Sequence, residues 1–450
     1  MRAFEVTLQL ESTSPASFSQ RSMWAFALRY RAAHLNEMIV PWRVQGSLRR
    51  DLMQAALSDL VRRHPTLRTR LAYRRGQLLQ VVMPAEAVDL AWYEVEGEST
   101  GARLQAVVDM LGGPGRPVVD VIDGPTLLAG LYRLGADDHV LCIQVHHAMC
   151  DGWSIGVMLR DLTTFYRARL EGTEAELPVL AEQYADLARH ELQACAAGEF
   201  DAELRHWRDA LADLPPPLAL PATAPRKGNR DWRASATHAT EPAALMLGLR
   251  ETAGRLRVSP FALLLSALAV LLRQRSGADD MVVGVPTLNR WSAPSMNVVG
   301  YMTSLMPVRL RPTGPLGFDA LCTQAHLSIR KMLAHGRVPL EVLLRETALT
   351  ASGNTVFPIW AQYIEETADS SHDAAGLRFT PLATKRRNLL AELDIDMVGA
   401  VNSWRCEFGY RRSLFEPSAM HSLMTDYVHL LRLILDQPRQ PVEALSEHIS

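Results

Sequence analysis

A run of strand-forming residues, Val140-Leu141-Cys142-Ile143-Gln144-Val145, ends in two adjacent histidines, and Asp151-Gly152 then opens an amphipathic stretch. A buried strand that gives way to a helix across so short a loop confines the fold to mixtures of sheet and helix. Successive side chains on a strand point to opposite faces, so His146 and His147 cannot do the same job. One can look into a cleft while the other is held behind it. That geometry suits a single general base with internal support and disfavours a paired metal site.

At 450 residues the chain is roughly two to three times a typical domain, which predicts two lobes. Hydrophobic residues make up 48% and charged residues 21%, an ordinary globular composition that argues against disorder. A net charge of −2 carries no nucleic-acid footprint. Basic doublets recur at Arg49-Arg50, Arg62-Arg63, Arg74-Arg75, Arg386-Arg387 and Arg411-Arg412 and are read first as solvated faces. The five cysteines are dispersed with no CxxC spacing, so neither a zinc site nor a disulfide framework is expected and a reducing cytoplasm fits best. The longest apolar stretch, 261–272, is too short to span a bilayer, and no signal pattern opens the chain.

The periodicity predicts a helix over 19–31, a strand over 38–44 and a helix after Ser47 that this serine caps. Hairpins are expected over 67–83, turning at Arg74-Arg75-Gly76, and over 127–146. A helix from Gly152 to about Leu170 buries Ile155, Met158, Leu159, Leu162, Phe165 and Tyr166. Pro-rich sequence from 214 to 229 reads as an extended crossing. Beyond it, Ser259-Pro260 starts a helix to about Arg275, Met281–Val285 is a buried strand, and 418–435 is a closing amphipathic helix.

A neutral imidazole near pH 7 can take a proton from an attacking amine or hydroxyl. If His147 is that base, backbone amides around Gly152 at the following helix start are candidates to hold the oxyanion. Asp151 could pair with Arg290, offered by a second strand-end loop. A core histidine followed by an aspartate N-cap would leave the same pattern.

Further motifs run along the chain in order. They are Ser17-Phe18-Ser19-Gln20-Arg21-Ser22-Met23-Trp24, Arg63-His64-Pro65-Thr66-Leu67-Arg68-Thr69, His146 to Ser154, and Tyr184-Ala185-Asp186-Leu187-Ala188. Val283 to Arg290, Val299 to Arg309 and His335-Gly336-Arg337-Val338-Pro339-Leu340-Glu341 follow. This series resembles the condensation domains of nonribosomal peptide synthetases, within the chloramphenicol acetyltransferase-like superfamily. Two positions depart from the family pattern: Pro65 replaces the usual glutamate and Ser304 the common asparagine.

The resemblance implies an α/β (α+β) fold of two chloramphenicol-acetyltransferase-like lobes, 1–178 and 179–450, in a V-shaped pseudo-dimer around a central tunnel. It implies an acyltransferase of antibiotic and secondary-metabolite synthesis that joins a carrier-bound acyl or peptidyl thioester to an amine or alcohol. The donor would arrive on an acyl or peptidyl carrier protein; the acceptor would be carrier-bound or a soluble amine or alcohol. The phosphopantetheine arm belongs to those partners, so no cofactor, metal, nucleic acid or membrane is expected on this chain, and a monomer is expected. By position His147 matches the catalytic histidine and Gly152 lies beside it in the motif. His146, Asp151, Arg290 and Arg63 match supporting positions, while Tyr301, Ser304 and Ser154 are candidates to line the tunnel. Trp24 and Trp153 are assigned to the core, and Cys150 is rejected as a nucleophile for want of a second base. No adenylation, carrier or thioesterase region is recognised, which fits a free-standing enzyme or an excised domain equally. The rival readings are an acyl-coenzyme-A-dependent acyltransferase of the same superfamily and a non-catalytic domain that recruits partners.

Overall fold

The histidine-bearing strand runs from Asp138 to His146 and lies inside a six-stranded sheet. The order is His372–Ala374, Leu377–Pro381, Glu37–Gln45, Asp138–His146, Leu127–Gly135 and Leu90–Glu94. This computed structural model describes residues 11–30, 36–113, 116–349, 355–366, 371–383, 388–400 and 403–449. Arg31 at the expected end of the first helix and the Arg386-Arg387 doublet lie outside them. A proline inside a strand normally removes a ladder bond. Here Pro41 turns its carbonyl toward the Leu377–Pro381 side, where it accepts from Leu382 N–H at 3.0 Å. Its missing N–H therefore falls on the side where the neighbouring strand ends, and pairing to the histidine strand is unbroken.

Contacts divide the chain into two units, and the cut is neither single nor at residue 178. One unit comprises Met1–Glu199, Leu288–Thr303 and Ser370–Thr384; the other comprises Phe200–Thr287, Ser304–Asp369 and Lys385–Ser450. The first unit thus takes two segments from the later half of the chain. In it, helices Arg50–Arg63 and Gly152–Glu171 pack on one sheet face. Met53, Leu57 and Leu60 meet Met158, Leu162 and Tyr166 over Val40, Trp42, Leu141, Ile143 and Val145. Val140 and Cys142 point the other way, toward Val107 and Leu111 of helix Thr100–Gly112. Period-two alternation in the strand therefore serves two cores at once.

Helix Gly152–Glu171 starts because Asp151 caps it and stops because Gly172 adopts φ 69°. Of its six expected inward residues, Met158, Leu162 and Tyr166 are buried, and Ile155, Leu159 and Phe165 pack partly buried against the same core. The hairpin Thr69–Arg74/Gln77–Val82 turns on Arg75 at φ 50° and Gly76 at φ 82°, the positive pair that a tight hairpin needs. Ser47 does not cap the helix expected after it. The helix begins at Arg50 with Arg49 at the cap position, and the Ser47 hydroxyl donates to Asp137 instead.

The second unit is built on a sheet of order Ser304–Leu310, Met281–Thr287, Ile359–Glu365, Leu393–Gly399, Ser403–Arg411 and Ala234–Pro242. Its central helix, Pro260–Ser276, is capped by Ser259, whose hydroxyl accepts from Ala262 N–H at 3.2 Å. That helix is apolar all round and buried from Ala262 to Leu272. The closing helix spans Pro417–Asp436. Residues 214–231 are irregular, with Leu218 and Leu220 buried. All five cysteines are free thiols. No single described helix is long and apolar enough to cross a membrane.

A Cβ at Gly172 would meet nothing within 4 Å, so Gly172→Ala tests backbone strain without a clash. The expected cost is about 1–2 kcal/mol, seen as a lower urea midpoint at unchanged slope.

Candidate active site

The strand ends at His146, and a single 3-10 turn, His147–Met149, follows. The two histidines do part company, but the turn separates them rather than the pleat. His146 is 2% exposed, and its Nδ1 accepts from Ala148 N–H at 3.1 Å, pinning the turn from beneath. His147 remains partly exposed. Its Nδ1 is buried with no hydrogen-bond partner among the described residues, and its ring meets Tyr301 edge-on at 4.9 Å and 72°. Burial pulls the His147 pKa below its ordinary value, against smaller upward pulls from nearby backbone carbonyls and the Asp151 charge. The imidazole is therefore neutral at pH 7, the form in which it can accept a proton.

Asp151 is fully buried and both its oxygens are filled. Oδ1 accepts from Ser154 N–H at 2.9 Å, Ser154 Oγ at 2.7 Å and Arg290 at 2.9 Å. Oδ2 accepts from the Met302 and Thr303 amides at 3.0 and 3.2 Å and from Thr303 Oγ1 at 3.4 Å. Arg290 also donates to the carbonyls of Ser295 at 2.5 Å and Val298 at 2.7 Å. The carboxylate thus fixes the turn before the helix and the returning segment 288–303 in one network. Neither side chain of the ion pair has any solvent exposure. A charge pair out of water is tolerated only when its remaining hydrogen-bonding capacity is met, and Asp151 meets that condition.

A second support comes from the opening motif. Ser17 Oγ accepts from Gln20 N–H while Gln20 Oε1 accepts from Ser17 N–H, each at 3.1 Å, a reciprocal cap on helix Phe18–Tyr30. Gln20 is fully buried and its amide donates to the Ala148 carbonyl at 3.3 Å, next to His147. Its Ser-x-x-Gln spacing was a readable signal for the cap, although nothing local in sequence pointed to Ala148. The motif Val299 to Arg309 contains Met302 and Thr303, but their role could not be read from it, because their shorter bonds to Asp151 come from backbone amides that carry no side-chain signature.

Gly152 is the exposed first residue of its helix, and a Cβ there would meet nothing within 4 Å. Ser154, a candidate for the tunnel lining, is fully buried, donating to Asp151 and accepting from Gly300 N–H at 3.1 Å. Tyr301 stands against His147 as described. Ser304 belongs to the second unit, buried on strand Ser304–Leu310. Arg63 pairs with Asp161 at 2.8 Å, nine residues along helix 152–171 from Gly152, or about 13 Å at 1.5 Å per residue. It supports that helix, alongside His64–Asp161 at 2.9 Å, and does not touch the His147 turn. Trp153, expected in the core, is 38% exposed and donates to the Met296 carbonyl at 2.9 Å. The helix turns Ser154 inward at this point, which leaves its neighbour outside. Trp24 is partly buried and stacks on Tyr73. Burial pushes the Cys150 thiol far up, so it holds its proton and is no nucleophile.

The chain matches the family described as Condensation domain across residues 10–447, and it belongs to that family. It is 28% identical over 439 residues to the phosphinothricin tripeptide synthetase PhsC of Streptomyces viridochromogenes, covering 96% of this chain and 40% of the synthetase. It is 30% identical over 347 residues to the isonitrile lipopeptide synthase of Mycobacterium tuberculosis, covering 75% of this chain and 14% of that protein. The chain therefore spans well under half the length of these curated relatives. Among solved structures, the X-domain from teicoplanin biosynthesis superposes with a TM-score of 0.84 at 23% identity over 97% of this chain and 96% of its own. The condensation domain of the monacolin K polyketide synthase MokA gives 0.82 at 20% identity, covering 96% of this chain and 99% of its own. These likenesses establish the condensation-domain, chloramphenicol-acetyltransferase-like α/β fold.

Removing one partner of the buried pair strands the other's charge. Arg290→Ala is expected to cost about 3–5 kcal/mol in chemical denaturation, with Arg290→Lys recovering only part because one ammonium cannot reach every acceptor.

Proposed function

We propose that this domain transfers an acyl or peptidyl group from a carrier-bound pantetheine thioester to an amine or alcohol, with His147 as general base. The reaction would form an amide or ester in nonribosomal peptide or hybrid polyketide biosynthesis, in the cytoplasm. The observation that carries the reading is that His147 is the partly exposed member of the adjacent pair, with its pKa lowered by burial, on a turn held by His146, Gln20 and Asp151. Family membership supplies the reaction class.

The acceptor lone pair attacks the thioester carbonyl carbon as its N–H or O–H proton passes to His147 Nε2. Nε2 takes this role because Nδ1 is the nitrogen turned into the protein. The oxygen gains charge as the carbon becomes tetrahedral, and the Gly152 amide, at the positive end of helix 152–171, stabilises it. Collapse breaks the C–S bond, and the departing pantetheine thiolate takes the proton from the imidazolium. His146, Asp151, Arg290 and, through the helix, Arg63 hold the turn. Tyr301 borders the reacting groups. The donor carrier and either an acceptor carrier or a free acceptor are the partners, and the protein works as a monomer.

The test offers an acyl-loaded carrier protein, and separately the matching acyl-coenzyme A, with a panel of amines and alcohols, and reads products by mass spectrometry. Turnover from the carrier that falls about 10²–10⁴-fold in His147→Ala is expected. Equal turnover from coenzyme A would replace the donor assignment, and undiminished turnover in His147→Ala would remove the base. The base must be unprotonated to work. Since burial lowers its pKa from 6.5, kcat/KM should hold at neutral pH and fall only as pH drops through a value below 6.5.

A further inference from the structure

We propose that Tyr184 is a positioning residue for His147, acting through Tyr301. This rests on the reading of His147 as the base. Tyr184 opens helix Tyr184–Ala196 and is 2% exposed. Its hydroxyl donates to the Tyr301 carbonyl at 2.8 Å and lies 2.9 Å from Ser17 Oγ. With the Tyr184 proton committed to that carbonyl, Ser17 must donate to Tyr184, and Ser17 Oγ in turn accepts from Gln20 N–H. Donor directions therefore run one way along four residues, from Gln20 to Ser17, Tyr184 and Tyr301. The chain ends at the residue whose ring lies edge-on to His147 at 4.9 Å.

The fit around this phenol is close. A Cβ at Gly300 would lie 2.2 Å from Tyr184 Cδ2, so only glycine lets the backbone before Tyr301 pass against the ring. Val298 and Met302 close the same cluster. The Tyr301 backbone is consequently held by its carbonyl on one side and, one residue on, by the Met302 amide bonded to Asp151. A side chain so fixed packs against the imidazole at a set distance. Burial pushes the Tyr184 phenol well above its ordinary pKa, so the donor keeps its proton across the working range.

Tyr184→Phe deletes the hydroxyl and keeps the ring against Gly300. The first measurement is the His147 imidazole titration by 15N NMR on the whole chain, with no substrate added. Tyr184→Phe should move the His147 pKa upward, toward the ordinary histidine value, because a displaced Tyr301 ring lets water reach the imidazolium. Tyr301→Ala should give a shift of the same sign, Tyr301→Phe should give none, and Tyr184→Phe added to Tyr301→Ala should add nothing. With whichever carrier and acceptor pair turns over in the assay above, kcat should fall about tenfold or more in Tyr184→Phe at unchanged KM. Additive effects of the two substitutions, or a parental titration curve in Tyr184→Phe, would overturn the proposal. Should Tyr184→Phe not fold, Ser17→Ala probes the same chain and must shift His147 in the same direction, by less; no shift counts against it. Retained turnover in His147→Ala defeats the base reading instead, and is read in a different protein from the one that tests Tyr184.

Discussion

The structure around the two histidines depends on one carboxylate. Asp151 sits out of water with six hydrogen bonds to its two oxygens, given by its own helix start, by an arginine and by two residues, Met302 and Thr303, 151 and 152 positions further along. A buried charge that had fewer donors would be expelled or neutralised. Because all of them are in place, the carboxylate sets three things together: where helix 152–171 begins, how the His147–Met149 turn runs into it, and where the backbone of 300–303 passes. Local capping and long-range closure are the same interaction here.

The second ordering influence is the sheet. The strand Asp138–His146 has partners on both sides and packed residues on both faces, so its last residue is placed by the whole first unit. His146 is the last rigid point, and the single turn after it carries His147 out of the core. A longer loop would have let the imidazole wander. A continued strand would have sent its side chain into one of the two cores.

Much of this was legible in the amino-acid order, and the reasons for the exceptions are physical. Strong periodicity located the helices 152–171, 260–276 and 417–436 and the strand of the histidines to within a few residues. The Asp151–Arg290 pairing was readable as a candidate from residue type and motif. Ser47 failed as a cap because Asp137, from another strand turn, competes for its hydroxyl, and such competition leaves no trace in neighbouring residues. Trp153 was misplaced because hydrophobicity suggested the core, whereas the helix phase set by Asp151 and Ser154 leaves that position outside. The amides of Met302 and Thr303 could not be read at all, since any residue except proline would supply them. A division of the chain at one point followed from the two lobes that the resemblance implies. Segments that fold back across the sequence have no compositional mark.

The return of residues 288–303 to the first unit has a consequence for how the protein is made. Arg290 leaves the ribosome 139 residues after Asp151, a delay of about 7–28 s at common elongation rates of about 5–20 residues per second. Throughout that interval the nascent chain holds the histidine strand and its helix but lacks the cation, and the backbone donors at 302 and 303, that complete the turn. The geometry around His147 is therefore finished late, only once residues 302 and 303 have been added. A chain terminated early carries the whole motif and still cannot assemble it.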